Sequence, residues 1–268
     1  MKRRLPVLAL CVLLLAGCQR GGEDVSAAVS LPPEPAPKTA QELLEEQPID
    51  DTRDAFLVDT GGRLGALLVT VEREEQNLEE ELDGDCAAIS VWDPQNMDGP
   101  IQTMELKVEY AAFRHHDVVD ANFDGYQDFG YMRFMGNQPT YWNYWIWNEE
   151  TGQFVPEPEF GSISSPVFDA EAEEIRGWAR ESAALEGVST VHRWADGELV
   201  CVRRIEVRQT DRSDGPSDLT FVLTVQDRMD GALTEVFRKE FPAGSGEYVD
   251  ERAKWEDLDY HGEADHQI

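Results

Sequence analysis

From residue 50 onward, short runs rich in Val, Ile, Thr and aromatic residues alternate with clusters of Gly, Asp and Asn. The runs fall at residues 55–58, 67–71, 87–92, 102–110, 141–147, 189–194, 198–207 and 219–226. β-Branched and aromatic side chains suit a pleated, half-buried surface, so each run predicts a strand. Strands at this spacing predict an all-β domain over residues 51–260, made of sandwich-like antiparallel sheets. In the run Tyr141-Trp142-Asn143-Tyr144-Trp145-Ile146-Trp147, aromatic residues occupy both parities. That strand is either buried on two faces or displays one aromatic face. Residues 169–185 favour helix by composition, although Gly177 and the spacing of Ile175 and Trp178 weaken a helical period.

The pattern is different before residue 50. A basic start, Lys2, Arg3 and Arg4, leads into an apolar run at residues 5–15 that is too short to span a bilayer. Leu15-Ala16-Gly17-Cys18 resembles the lipobox of bacterial lipoproteins. The resemblance implies that residues 1–17 are a signal peptide and that Cys18 carries the lipid. With Gln19 after the cysteine, it also implies outer-membrane sorting, with the domain facing the periplasm. Residues 18–50 shift to Gly, Ala, Pro and Glu and read as a disordered tether. Within the tether, Thr39-Ala40-Gln41-Glu42 has capping-box spacing, which predicts a short helix over residues 40–47, stopped by Pro48. Residues 72–82 are nearly all charged or polar and read as surface, and residues 261–268 read as a polar tail.

The chain has 268 residues, with 54 acidic against 23 basic side chains and a net charge of −31. Removing residues 1–17, which hold three basic and no acidic groups, makes this −34. A phosphate-binding surface needs a basic stripe, and none is present, so nucleic acid is excluded as a partner. The membrane contact expected is through the lipid anchor. Of the four cysteines, Cys11 leaves with the signal peptide and Cys18 is expected to be acylated, which leaves Cys86 and Cys201. In an oxidising compartment these two are expected to pair, the alternative being two buried thiols.

The strongest chemical signal is Asp120-Ala121-Asn122-Phe123-Asp124-Gly125-Tyr126-Gln127-Asp128. Ca²⁺ prefers oxygen ligands. Acidic or amide side chains at loop positions 1, 3 and 5 point inward as the chain curls around an ion, and Gly at position 6 permits the turn. This reading assigns Ca²⁺ to Asp120, Asn122, Asp124, the Tyr126 carbonyl and Asp128. Position 12 is Tyr131 rather than Glu, and residues 129–134 read as a strand rather than an exiting helix. The loop therefore departs from an EF-hand toward an integrin-like or other non-EF calcium loop. A solvated turn is the alternative.

This loop is followed by the aromatic strand, Thr151-Gly152-x-Phe154, a Phe168-Asp169 turn and the hairpin Trp194-Ala195-Asp196-Gly197-Glu198-Leu199. Over residues 86–207 the order resembles a family of exported Gram-negative proteins that combine a calcium loop with a fold like the periplasmic i-type lysozyme inhibitors. The resemblance implies that residues 169–185 are strand, against their composition. It also likens Ser245-Gly246-Glu247-Tyr248 to the Ser-Gly-x-Tyr loop with which such inhibitors enter the enzyme's cleft. Ser245 and Tyr248 are then the partner-binding residues, and the expected partner is a basic cell-wall hydrolase such as a lysozyme.

The expected function is a non-catalytic envelope lipoprotein whose calcium-stabilised domain binds and occludes a lysozyme-like cell-wall hydrolase, with a non-inhibitory envelope scaffold or binding protein as the alternative. No Gly-x-Ser-x-Gly, His-Glu-x-x-His, Walker or Cys-His arrangement is present in the sequence. A glycosidase using paired carboxylates is a further alternative, because 54 acidic residues make any pair commonplace. The adjacent His115 and His116 point to opposite faces of a strand and read as packing or surface residues.

Overall fold

The computed structural model describes residues 38–62, 64–73, 85–109, 112–136, 139–180, 186–210, 220–242 and 246–261. The signal segment, Cys18, all of the tether before Lys38, residues 74–84, Ser245 and residues 262–268 lie outside the described residues. Among the described residues, no helix is long and apolar enough to cross a membrane.

The fold is all-β, and the described residues form three antiparallel sheets, in each of which neighbouring strands are also neighbours in the chain. The first sheet has the order β1 (Arg53–Asp59), β2 (Ala66–Arg73), β3 (Asp85–Trp92), β4 (Gln102–Val108). The second follows as β5 (His116–Val119), β6 (Asp128–Met135), β7 (Thr140–Asn148), β8 (Gln153–Glu157). The third sheet is six-stranded and comprises β9 (Val167–Asp169), β10 (Glu174–Arg180), β11 (Gly187–Ala195), β12 (Glu198–Thr210), β13 (Thr220–Met229) and β14 (Ala232–Pro242). The hairpins β11–β12 and β13–β14 turn on Asp196-Gly197 and Asp230-Gly231. All four residues have positive φ, which the two-residue turns matching strand twist require.

Apolar side chains on both faces of the second sheet set the layering. Phe129, Trp145, Trp147 and Phe154 bury against Phe56, Val69, Ile89 and Val91 of the first sheet. On the opposite face, Tyr144 packs with Phe160, Ile163, Ile175 and Leu199, which joins the second sheet to the third. The aromatic strand β7 is therefore buried on two faces. The Phe129 and Trp145 rings stack at 5.0 Å, while Tyr144 lies 4.4 Å from Phe160. Gly130, opposite Tyr144 in the ladder, lets that ring lie on the backbone, since a Cβ at Gly130 would come within 2.5 Å of Tyr144 Cε1.

Residues 174–180 are strand, not the helix that composition favoured. Close packing decides here over propensity. A Cβ at Gly177 would meet Thr190 Oγ1 at 2.5 Å and Ile163 Cγ2 at 2.8 Å, so the strand needs glycine where it crosses β11.

Among the described residues, two α-helices flank the sheets. α1 (Ala40–Glu45) carries the expected capping box: Glu42 N–H donates to Thr39 Oγ1 at 3.2 Å, and Thr39 N–H donates to Glu42 Oε2 at 2.8 Å. α2 (Glu247–Trp255) covers one face of the third sheet, burying Tyr248 and Trp255 among Phe221, Phe237 and Phe241. Arg203, 1% exposed, fastens the chain after α2 to β12 and β13. Its Nε and Nη2 donate to the Asp227 carboxylate at 2.6 and 2.8 Å. The remaining N–H groups reach the carbonyls of Trp255, Asp257 and Tyr260 at 3.1, 2.7 and 3.2 Å. The guanidinium also lies 5.3 Å from the Trp255 ring centre.

Candidate functional site

Residues 120–127 form the connection between β5 and β6, and the Val119–Asp128 pair closes it at the base. The polar side chains organise the loop by accepting its own N–H groups. Asp120 Oδ1 accepts from Asp124 N–H at 3.0 Å and its Oδ2 from Gly125 N–H at 2.8 Å. Asn122 Oδ1 accepts from Asp124 N–H at 3.3 Å, and Asp124 Oδ1 accepts from Tyr126 N–H at 2.9 Å. Asn122 Nδ2 donates to Asp124 Oδ2 at 2.8 Å. Such curling requires left-handed backbone, which occurs at Phe123 (φ 61°) and Gly125 (φ 93°). No atom lies within 4 Å of a Cβ placed on Gly125, so glycine there answers to conformation rather than space.

Asp128 opens β6 and is fully buried. Its Oδ2 accepts from Ala121 N–H and its Oδ1 from Trp147 N–H in β7, both at 2.7 Å. Burial pushes its pKa up to about 7, the two N–H bonds pull it down, and the charges of Asp124 and Asp120 push it further up. The loop is also pinned from both neighbouring sheets. Asp59 N–H at the end of β1 donates to Gln127 Oε1 at 2.8 Å, and Trp194 Nε1 in β11 donates to the Ala121 carbonyl at 2.9 Å. The site thus lies where all three sheets meet.

The donor chemistry fits a hard cation: every candidate is oxygen, and each carboxylate oxygen keeps a lone pair after its single N–H bond. In the present geometry, no three Asp, Glu, His or Cys side chains among the described residues are arranged to hold a metal ion. A cation would draw on the Asn122 amide oxygen and the Tyr126 carbonyl as well as the acidic groups.

The other site residues expected from sequence fare differently. Cys86 and Cys201 are free thiols, contrary to the expected disulfide. Cys86 lies in β3 opposite Lys107 in the first sheet, whereas Cys201 lies in β12 opposite His192 in the third. Cys201 Sγ approaches the Arg203 carbonyl at 3.4 Å, and burial pushes its pKa up. Tyr248 also departs from expectation. It stands in α2 rather than on a protruding loop, is 6% exposed, and sets its ring 5.3 Å from that of Phe221. The helix begins at Glu247 because Gly246 takes ordinary right-handed φ and serves as its N-cap. Ser245, its proposed companion, is outside the described residues.

His116 belongs to a polar group that the sequence concealed. Its ring stacks on Phe56 at 4.2 Å and its Nδ1 lies 3.0 Å from Oδ2 of the buried Asp54, which also accepts from Tyr131 Oη at 3.3 Å. Asp54 sits in the run Asp50-Asp51-Thr52-Arg53-Asp54, where nothing distinguishes it from its acidic neighbours. A groove of about 480 Å³ adjoins the loop at Asn122 and Asp124 and runs between β8 and the β11–β12 turn. It was equally hidden, because its walls come from segments distant in sequence.

No family model matches the chain. No curated protein matches it. Among solved structures it is similar to a Xanthomonas type IV secretion system related protein, with 13% identity over 68% of this chain and 92% of that chain, at a TM-score of 0.43.

Proposed function

We propose that this chain is an envelope lipoprotein whose all-β domain holds Ca²⁺ in the Asp120–Asp128 loop and binds a basic cell-wall hydrolase of the lysozyme kind, without catalysis of its own. The observation that carries the metal reading is Asp128: a fully buried carboxylate whose pKa is raised first by burial and then by the repelling charges of Asp124 and Asp120. Ca²⁺ would screen this repulsion and hold the β5–β6 connection in one shape. Asp120, Asn122, Asp124 and Asp128 would supply side-chain oxygens and Tyr126 its carbonyl. The net charge of −31 supports the partner reading, because it attracts a basic protein over long range and makes association fast and salt-sensitive.

Burial of Tyr248 favours a second reading, an envelope binding protein that leaves its partner's activity intact. One set of assays separates these readings. Calcium should raise the melting temperature of the purified chain, and Asp124→Ala should remove most of that rise. A panel of lysozymes and related muramidases should then lose activity at excess chain with calcium present. Melting that ignores calcium in both proteins would sink the metal assignment. Full hydrolase activity throughout the panel would remove inhibition and leave the second reading.

A further inference from the structure

The groove beside the loop has an apolar part and an acidic rim. Ile146, Val155 and Trp194 supply the apolar lining, and Glu149 and Glu150, both exposed, with Glu157, half-buried, supply the acidic rim. Val155 is 47% exposed, although its strand neighbour Phe154 is 1% exposed in the core. Trp194 is only partly buried, and its indole is fixed by the bond from Nε1 to the Ala121 carbonyl at 2.9 Å. A fixed aromatic wall gives contact area at little cost in side-chain freedom on binding. No Lys or Arg is among the lining residues, so among the described residues nothing basic stands against the rim inside the groove.

We propose that this groove is the docking surface for a basic segment of a protein partner, an Arg or Lys laid along it. This deepens the reading of the chain as a binder of a basic protein and rests on it. The methylene stem of such a residue would cover Val155 and Ile146, and its charged end would meet Glu149, Glu150 and Glu157 while lying against the Trp194 ring. Long cationic side chains match this layout because stem and head differ in polarity along their length. A cation over indole adds attraction that neutral ligands lack. Arg suits the groove better than Lys, since a planar guanidinium both stacks on the ring and forks onto carboxylates. Acidic glycans would meet like charge on the rim, which argues against a cell-wall polysaccharide as occupant.

Titration calorimetry of the purified full chain with acetyl-tetraarginine amide tests the proposal. The expected result is saturable one-to-one binding that Glu149→Gln/Glu157→Gln weakens at least tenfold. Glu105→Gln/Glu240→Gln, which removes the same charge from β4 and β14, should weaken binding less than twofold. Val155→Ser, which changes no charge, should weaken it severalfold. Equal loss in the two charge-matched doubles would mean that the peptide sees only the overall field, and would overturn the groove. So would absence of binding, or binding of a neutral chitin oligosaccharide in place of the peptide. The hydrolase reading fails independently: peptide binding that maps to the groove, with every lysozyme fully active, keeps the docking surface and discards inhibition.

Discussion

Arg203→Met should be among the most damaging single substitutions outside the loop. The residue is 1% exposed, and its five N–H donors are directed to two Asp227 oxygens and three backbone carbonyls beyond or at the end of α2. Methionine keeps most of the stem but leaves the Asp227 carboxylate and the Trp255 and Tyr260 carbonyls without these donors, while the Asp257 carbonyl keeps its bond from Tyr260 N–H at 3.1 Å. Breaking a buried ion pair by removing one partner costs about 3–5 kcal/mol. Asp227, whose side chain is 20% exposed, recovers some hydration, which pulls toward the lower figure. The Trp255 and Tyr260 carbonyls pull the other way, back toward the middle of that range, at roughly 1 kcal/mol each if left without a donor. A loss of about 4 kcal/mol follows, which at a urea slope of about 2 kcal/mol/M shifts the unfolding midpoint by about 2 M. Arg203→Lys should recover little, because an ammonium has three donors and no fork. Arg203→Met/Asp227→Leu should recover part of the loss by removing the abandoned carboxylate. Urea unfolding followed by tryptophan fluorescence measures all three variants. A loss under about 1 kcal/mol for Arg203→Met would refute the claim that this residue holds the C-terminal segment to the third sheet.

His192 is buried, and its pKa is pushed down from 6.5 to about 4, first by burial and further by the Arg228 charge. A depressed histidine contributes stability that is complete above pH 6.5 and is lost as pH falls toward 4, on the order of 3 kcal/mol in all. His192→Phe should flatten this part of the melting-versus-pH curve, and an unchanged slope would contradict the assignment. Asp128 acts in the opposite sense. With its folded-state pKa raised from 3.8 to about 7, the metal-free domain should lose stability as pH rises between those values. Asp128→Asn should abolish this dependence in chelator, as thermal melts at stepped pH will show. Gly130→Ala should cost about 1–3 kcal/mol by forcing a methyl group into the Tyr144 ring, measured by chemical denaturation. The smaller Gly130→Ala/Tyr144→Leu double variant should lose less than the sum of its parts.

How far the sequence could be read depended on whether a feature was local. The capping box of α1, the Asp-Gly turns and most strands are written in consecutive residues, and they appear where pattern and turn chemistry put them. Strand β10 was obscured because Glu, Ala and Arg dominate its composition, and the reason for its extended form is a contact between Gly177 and Thr190. The spacing of Asp120 to Asp128 was plain. That both Asp128 oxygens are taken by backbone N–H groups was not, because one donor, Trp147, lies on another strand. Tyr248 shows the reverse failure. Four residues matching a loop motif carry no information about burial, and the amphipathic turn that follows Gly246 placed the ring inside. Arg203 and Trp194 were unreadable because their partners are separated from them by 24 to 73 residues.

The consecutive pairing within each sheet bears on how the chain reaches this fold. Every strand is bonded to one that directly precedes or follows it, so closing each hairpin spans at most residues 74–84 and never a distant segment. The first sheet has all its strands once residue 108 is available, and the second once residue 157 is available. Neither has to wait for a distant partner. The bonds between sheets come from farther along: Trp194 reaches back to Ala121, and Arg176 reaches forward to the Glu256 carbonyl. A chain delivered from its N-terminus can therefore form its sheets in sequence and dock them afterwards. The face of β7 that carries Tyr144 is covered only in part, by Phe160 and Ile163, until Ile175 and Leu199 of the third sheet arrive, and this interval is when the chain is most open to aggregation.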